Sequence, residues 1–225
     1  MTAIVVFAKE CLPGRVKTRL HPALSFEQAA ELAAASLDDT LAAALALPAS
    51  RRILAFDGMV PPATAAAFEV LPQVSGDLDE RLAAIFDSVE GPVLLVGMDT
   101  PQLSATLLDP VFTHWDNTTD AWFGPANDGG FWALALAEPR PGVTRGKLIR
   151  GVPMSRDDTG ALQLTRLRNA GLRVRQLPLL TDVDTIADAN AVACVAPHSR
   201  FATALLAMRP ALPNATGSRT AGPCA

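Results

Sequence analysis

Three groups of ionisable side chains in this sequence are spaced so that they could act on one charged ligand. The first is a cationic loop in which Lys9, Arg15, Lys17 and Arg19 fall within eleven residues of a chain whose net charge is −4. Cations gathered in this way neutralise phosphate groups, and Pro13-Gly14 forces a turn in the loop. The loop lacks the GxxxxGK[ST] spacing of a P-loop and the GxGxxG of a dinucleotide fold, and a solvated basic loop is the plainer alternative. The second group is Asp99. The run Val93-Leu94-Leu95-Val96 suits a strand buried on both faces, Gly97 ends it, and Asp99 follows with Pro101 close behind. Ligands of open α/β sheets collect at that edge, where a carboxylate can hold a hard divalent cation. Asp99 could instead cap a helix starting near Ser104 or close a turn at Thr100-Pro101. The third group, Asp182 and Asp184, lies at a later strand end, before a helix that begins near Ile186. It would bring the second carboxylate that a hard metal needs, with one of the two aspartates left to cap the helix.

Two further stretches carry weaker signals. In Ser75-Gly76-Asp77-Leu78, Gly76 would let the backbone approach a flat ligand such as a base, while Asp77 reads first as a helix N-cap. In Asn127-Asp128-Gly129-Gly130-Phe131-Trp132, the glycines either turn a β-hairpin or open space for a substrate. On the second reading Asp128 orients or deprotonates an acceptor and Trp132 offers a stacking surface.

The elements that must position these groups alternate between strand and helix. Strands are expected at Ala3–Phe7, Arg52–Phe56, Val93–Val96, Ala121–Gly124, Ala133–Leu136 and Leu172–Leu177. Helices are expected from Ser25 to Leu47, with Ser25 and Gln28 forming a capping box, and at 78–89, 104–115, 159–170 and 199–208. This order predicts an α/β chain with one domain at 1–209 and a frayed Pro/Gly/Ala/Ser/Thr-rich tail at 210–225. Hydrophobic residues make up 49% of the 225, enough for a sizeable core. The acidic balance argues against a nucleic-acid surface, and no apolar run approaches the roughly 20 residues that span a membrane. Cys11, Cys194 and Cys224 are far apart and form no CxxC pair, which fits a reducing cytoplasm better than a disulfide framework or a zinc site.

Taken together and in order, five segments resemble a known family. They are Phe7-Ala8-Lys9 with Pro13 to Leu20, Gly76-Asp77-Leu78 with Glu80-Arg81, Val96 to Pro101, Gly124-Pro125 with Asp128-Gly129-Gly130, and Asp182 to Thr185. The set is similar to a bacterial GT-A-type family of unassigned activity that includes glycosyltransferases of arsenosugar biosynthesis. It is similar more distantly to the 2-phospho-lactate and molybdenum-cofactor guanylyltransferases. The resemblance covers residues 3 to 208. It departs from the family pattern at Asp79, where Gly is usual, at Asn127 and Phe131, and at Met154, where Trp is common.

The resemblance implies a Rossmann-like GT-A nucleotide-diphospho-sugar transferase fold, a three-layer α/β/α sandwich with a mostly parallel sheet. Asp99 then takes the place of the metal-binding DxD, whose second carboxylate is missing here, and Asp184 supplies another from the late Val-Asp-Thr segment. Mg²⁺ or Mn²⁺ is the expected cofactor. Arg15 and Lys17 would grip the phosphates, with Ala8 near the base. Lys9, Gly14, Arg19, Gly76, Asp77 and Arg81 complete the expected nucleotide site, and Asp99, Asp128 and Lys17 are the expected catalytic residues. The leading expectation is glycosyl transfer from a nucleotide-diphospho-sugar to a small acceptor. The alternatives are guanylyl or cytidylyl transfer with release of pyrophosphate, and nucleotide binding without turnover.

Overall fold

The computed structural model describes residues 1–116, 118–139 and 144–208; the expected tail at 210–225 lies outside them. The described residues form seven strands: β1 (Ala3–Lys9), β2 (Arg52–Asp57), β3 (Glu69–Pro72), β4 (Val93–Gly97), β5 (Ala121–Pro125), β6 (Phe131–Leu136) and β7 (Val174–Gln176). Among the described residues six α-helices accompany them: α1 (Phe26–Leu45), α2 (Leu78–Ser88), α3 (Ala105–Thr113), α4 (Thr159–Asn169), α5 (Ile186–Val195) and α6 (Arg200–Ala207). The strands form one sheet in the order β3-β2-β1-β4-β6-β5-β7, in which β6 runs antiparallel to its neighbours and the other pairings are parallel.

Strand periodicity divides the core between the two faces of this sheet. Ile4, Val6, Leu94 and Val96 pack with Ala33, Leu37 and Leu41 of α1 and Leu108 of α3. Val5, Val93 and Leu95 point the other way, into a cluster with Leu82 and Phe86 of α2 and Leu167 of α4. The result is the expected three-layer α/β/α sandwich. Because α1 and α2 cover opposite faces, the adjacent strands β1 and β4 form a topological switch point, which opens a crevice at their carboxyl ends.

The helix caps follow the chemistry of their residues. Ser25 and Gln28 form the expected reciprocal capping box at α1. Ser104 caps α3 through Leu107, which leaves Asp99 without the capping role it could have had. At α5 the expectation that one of the two aspartates caps the helix is wrong. Thr185 and Asp188 make the capping box there, so Asp182 and Asp184 are both free to face elsewhere. Helix α6 packs on α1 within the same chain, where Phe201 and Leu205 bury against Leu32. Among the described residues, no helix is long and apolar enough to cross a membrane.

Candidate active site

The carboxyl ends of β1, β4, β5 and β7 point the same way, and the loops that leave them are laced together. The Val183 amide donates to the Asp99 carbonyl at 3.3 Å, and Gln102 Nε2 donates to the Thr181 carbonyl at 2.7 Å. Leu180 exchanges backbone hydrogen bonds with Pro125 and Asn127 at the β5–β6 turn. Buried Ser36, on α1, donates to the Met98 carbonyl at 2.7 Å and anchors the loop that carries Asp99. Segments far apart in the chain are thereby held side by side. Between them lies a cleft of about 460 Å³, lined among others by Ala8, Lys9, Gly97, Asp99, Asp128, Asp182 and Asp184.

At one end of this cleft two carboxylates share one ammonium. Lys17 Nζ lies 2.9 Å from Asp99 Oδ1 and 3.9 Å from Asp184 Oδ1, and the Lys17 side chain is only 9% exposed. Arg19 Nη1 pairs with the other oxygen of Asp184 at 2.9 Å. Asp182 lies beside them. Its Oδ1 is sealed from solvent without a hydrogen-bond partner. Burial first, then the charges of Asp99 and Asp128, push this carboxyl up to about 7. A convergent acidic pocket with an unsatisfied buried oxygen fits a hard cation. Among the described residues no group of three or more His, Cys, Asp or Glu side chains forms a candidate metal cage. Two protein carboxylates suffice for Mg²⁺, which takes its remaining ligands from water and substrate phosphates.

The expected nucleotide-binding residues do not all meet there. Ala8 and Lys9 line the cleft at the end of β1. Arg81 also lines it, 5.9 Å above the Phe7 ring, and donates to Gln73 Oε1 at 2.9 Å. Arg15 lies apart from the carboxylates, in a neighbouring cavity of about 490 Å³ that it shares with Lys9, Glu10, Asp57 and Arg81. Gly14 (φ 72°) and Gly76 (φ 122°) are exposed turn residues outside the cleft lining, where left-handed backbone explains the glycine. Asp77 holds the N-cap position of α2, yet its side chain makes no capping hydrogen bond.

At the β5–β6 turn the hairpin reading holds, while the open-space reading fails at Gly129 and the stacking reading fails at Trp132. Beside Gly129 the space is filled by protein, since a Cβ there would lie 1.8 Å from the Asp157 carbonyl oxygen, whereas Gly130 lines the cleft and a Cβ on it would come nearest the Asp128 carboxylate, at 3.1 Å. Trp132 borders the cleft but is only 2% exposed, packs against Gly124 and donates to the Pro178 carbonyl at 3.0 Å, so it is core and offers no stacking face. The half-buried aromatic rings in the cleft are Phe7 and Phe131. Asp128 does line the cleft, and its Oδ1 accepts from the Gly130 amide at 2.8 Å.

Sequence reasoning passed over Gln73, Ser155 and Arg156. Gln73 donates to the carbonyls of Ala8 and Ala55 and accepts from Arg81, tying two strand ends to that guanidinium. Ser155, at φ 58°, and Arg156 line the cleft before α4. A lone glutamine at a strand end gives no sequence signal, but the turn-rich stretch Ser155 to Asp158 was visible as a break before a helix.

Known structures share this architecture. A protein provisionally described as a nucleotide-diphospho-sugar transferase from Desulfovibrio desulfuricans G20 is 25% identical, with a TM-score of 0.74 over 92% of this chain and 94% of that one. A cytidylyltransferase from Leptospira borgpetersenii is 11% identical, with a TM-score of 0.53 over 92% of both chains. A CMP:2-keto-3-deoxy-manno-octonic acid synthetase solved with CTP is 14% identical, with a TM-score of 0.51 over 87% of this chain and 98% of that one. No curated protein matches the sequence. The fold is that of nucleotide-diphospho-sugar transferases of GT-A type. The model of the family described as "Uncharacterized protein conserved in bacteria (DUF2064)" matches residues 31–156, more than half of the chain, and the chain belongs to that family.

Proposed function

We propose that this protein is a divalent-metal-assisted glycosyltransferase that moves a sugar from a nucleotide-diphospho-sugar to a small acceptor. The observation that carries this reading is the meeting of Asp99 and Asp184, from distant parts of the chain, on the one Lys17 ammonium at the edge of the cleft. Asp99 and Asp184 would hold Mg²⁺ or Mn²⁺, which when bound supplies positive charge to the departing diphosphate. Lys17 and Arg19 place two more cations beside the same carboxylates, where the diphosphate would lie. Gln73 fixes Arg81 beside the end of β1, within reach of a ligand that enters the cleft. Asp128 would orient the acceptor through Oδ2, since Oδ1 is engaged by Gly130. An activated nucleotide as donor fits a cytoplasmic enzyme. The 25% identity to the Desulfovibrio protein supports a sugar nucleotide as donor.

A second reading, nucleotidyl transfer with release of pyrophosphate, draws on the side cavity. There Lys9, Arg15 and Arg81 outnumber Glu10 and Asp57, the latter already paired with Arg81 at 3.2 Å, and leave a net positive charge for a longer phosphate chain.

Thermal melting with UDP-, GDP-, ADP- and CDP-linked sugars and with the four triphosphates, with and without Mn²⁺, separates the readings. A Mn²⁺-dependent rise with one sugar nucleotide supports glycosyl transfer. A rise confined to GTP or CTP supports nucleotidyl transfer, and no rise with any of them rejects both.

Gly97 gives a further check. It lines the cleft at the end of β4, its backbone is not left-handed, and a Cβ there would meet nothing within 4 Å. Neither strain nor crowding within the protein calls for glycine, but a ligand lying against the strand end would. Gly97→Val is expected to melt within about 2 °C of the parent, because it adds a β-branched residue in open space. The same variant is expected to lose the ligand-induced rise. Retention of the full rise would place the ligand elsewhere.

A further inference from the structure

We propose that Lys17 is the resident counter-ion of the metal site, displaced onto the ligand's phosphates when a divalent cation enters with nucleotide. The inference rests on the metal-assisted reading above and adds an order to it: cation and nucleotide bind together, and the cation alone binds poorly.

Asp99, Asp182, Asp184 and Asp128 crowd one end of the cleft, and their carboxylates would repel one another without a cation among them. Lys17 supplies it, with its ammonium between Asp99 and Asp184 and its side chain 9% exposed. Its backbone is left-handed (φ 47°, ψ 36°), which is unusual for a residue with a long side chain, and a short 3-10 turn, Thr18–Leu20, follows it directly. The ion pairs with the carboxylates are thus made from an uncommon backbone geometry.

A hard divalent ion coordinates carboxylate oxygen at roughly 2.0–2.6 Å. Asp99 Oδ1 is the atom that the ammonium already holds at 2.9 Å. Both cations compete for this oxygen, because a divalent ion and an ammonium packed against it repel one another. An entering ion must therefore push Lys17 aside. Without a phosphate to receive it, the displaced ammonium loses an ion pair in a nearly buried position and gains none. With a nucleotide diphosphate present, a flexible four-carbon stem carries the ammonium to the phosphate oxygens, and the exchange becomes favourable. By thermodynamic reciprocity, each ligand then raises affinity for the other.

The test is Mn²⁺ alone, titrated into the full chain and followed by the loss of the free-ion electron paramagnetic resonance signal. Lys17→Met, which keeps an apolar stem and removes the charge, is expected to bind Mn²⁺ at least about tenfold more tightly than the parent. Lys17→Arg, which keeps the charge, is expected to bind Mn²⁺ as weakly as the parent. Adding CTP or a UDP-sugar should tighten Mn²⁺ binding far more in the parent than in Lys17→Met. Unchanged or weaker Mn²⁺ binding by Lys17→Met overturns the displacement. If the parent nonetheless takes up Mn²⁺ with nucleotide, and Asp99→Asn does not, the metal-assisted reading survives that failure. If the parent takes up no Mn²⁺ with any nucleotide, both fall. A circular-dichroism melt of each variant establishes that the chain is folded.

Discussion

Asp99→Asn is expected to lower transfer by on the order of 10³-fold, the scale seen when a group aimed at developing charge is removed. It is expected to leave the melting temperature of the ligand-free protein nearly unchanged. The two expectations come from the same geometry. The Asp99 side chain is 44% exposed, and of its ion pair with Lys17 the lysine retains only the longer contact to Asp184 after substitution. Partly exposed pairs of this kind contribute at most about 1 kcal/mol to folding. The carboxylate nonetheless stands at the carboxyl end of β4, beside the Asp182–Asp184 segment whose Val183 amide is bonded to its own carbonyl. An amide has the shape of the carboxylate but not the charge that holds a hard cation. The measurements are kcat/KM with the donor found by thermal shift, and the Mn²⁺-dependent part of that shift. A variant that keeps more than a tenth of the activity with full metal dependence would remove Asp99 from the site. Arg15→Ala should cost less, because Arg15 lies in the neighbouring cavity, away from the two carboxylates.

The parts of this molecule that could be read from sequence are those governed by local rules. The four-residue apolar run at Val93 gave a central strand because a strand covered on both faces needs no alternation. Ser25 and Gln28 gave a capping box because their spacing permits no other equally local use of both side chains. Asp99 could be read as a carboxylate at the sheet edge because it follows an apolar strand, whereas Asp184, rather than Asp182, was implied as its partner only by the family resemblance.

What could not be read depended on contacts between distant segments. Thr185, rather than either neighbouring aspartate, caps α5, because the backbone bond from Val183 to Asp99 turns the acidic segment toward the cleft. Trp132 looked available for stacking beside two glycines. The absence of a side chain at Gly124, across the hairpin, draws the indole into the core instead. Lys17 and Arg15 looked equivalent two residues apart, yet the left-handed backbone at Lys17 accompanies a side chain directed to the carboxylates, and Arg15 faces another cavity.

The largest expected effect on stability is at Gly129. The residue has φ 89°, and a Cβ built on it would lie 1.8 Å from the Asp157 carbonyl oxygen and 2.4 Å from its carbon. These are backbone atoms, so no rotamer change relieves the clash. The Gly129 carbonyl also accepts from the Gly160 amide at 2.8 Å, and a Cβ on Gly160 would in turn meet the Gly130 carbonyl oxygen at 2.5 Å. Two glycine-containing segments, the β5–β6 turn and the start of α4, are interlocked at a separation that admits no side chain on either. Left-handed strain alone costs about 1–3 kcal/mol, and forcing the segments apart adds to it. Gly129→Ala is therefore expected to destabilise the fold by more than about 3 kcal/mol, a fall in melting temperature of roughly 10 °C for a domain of this size. Thermal unfolding followed by circular dichroism measures it, with Gly97→Ala as the matched comparison. The same methyl group at Gly97 meets neither left-handed backbone nor any atom within 4 Å, and it should leave the melt unmoved. If Gly129→Ala also melts within about 2 °C of the parent, the turn and the start of α4 are not interlocked, and the wall of the cleft that carries Asp128 and Ser155 can yield to its ligand.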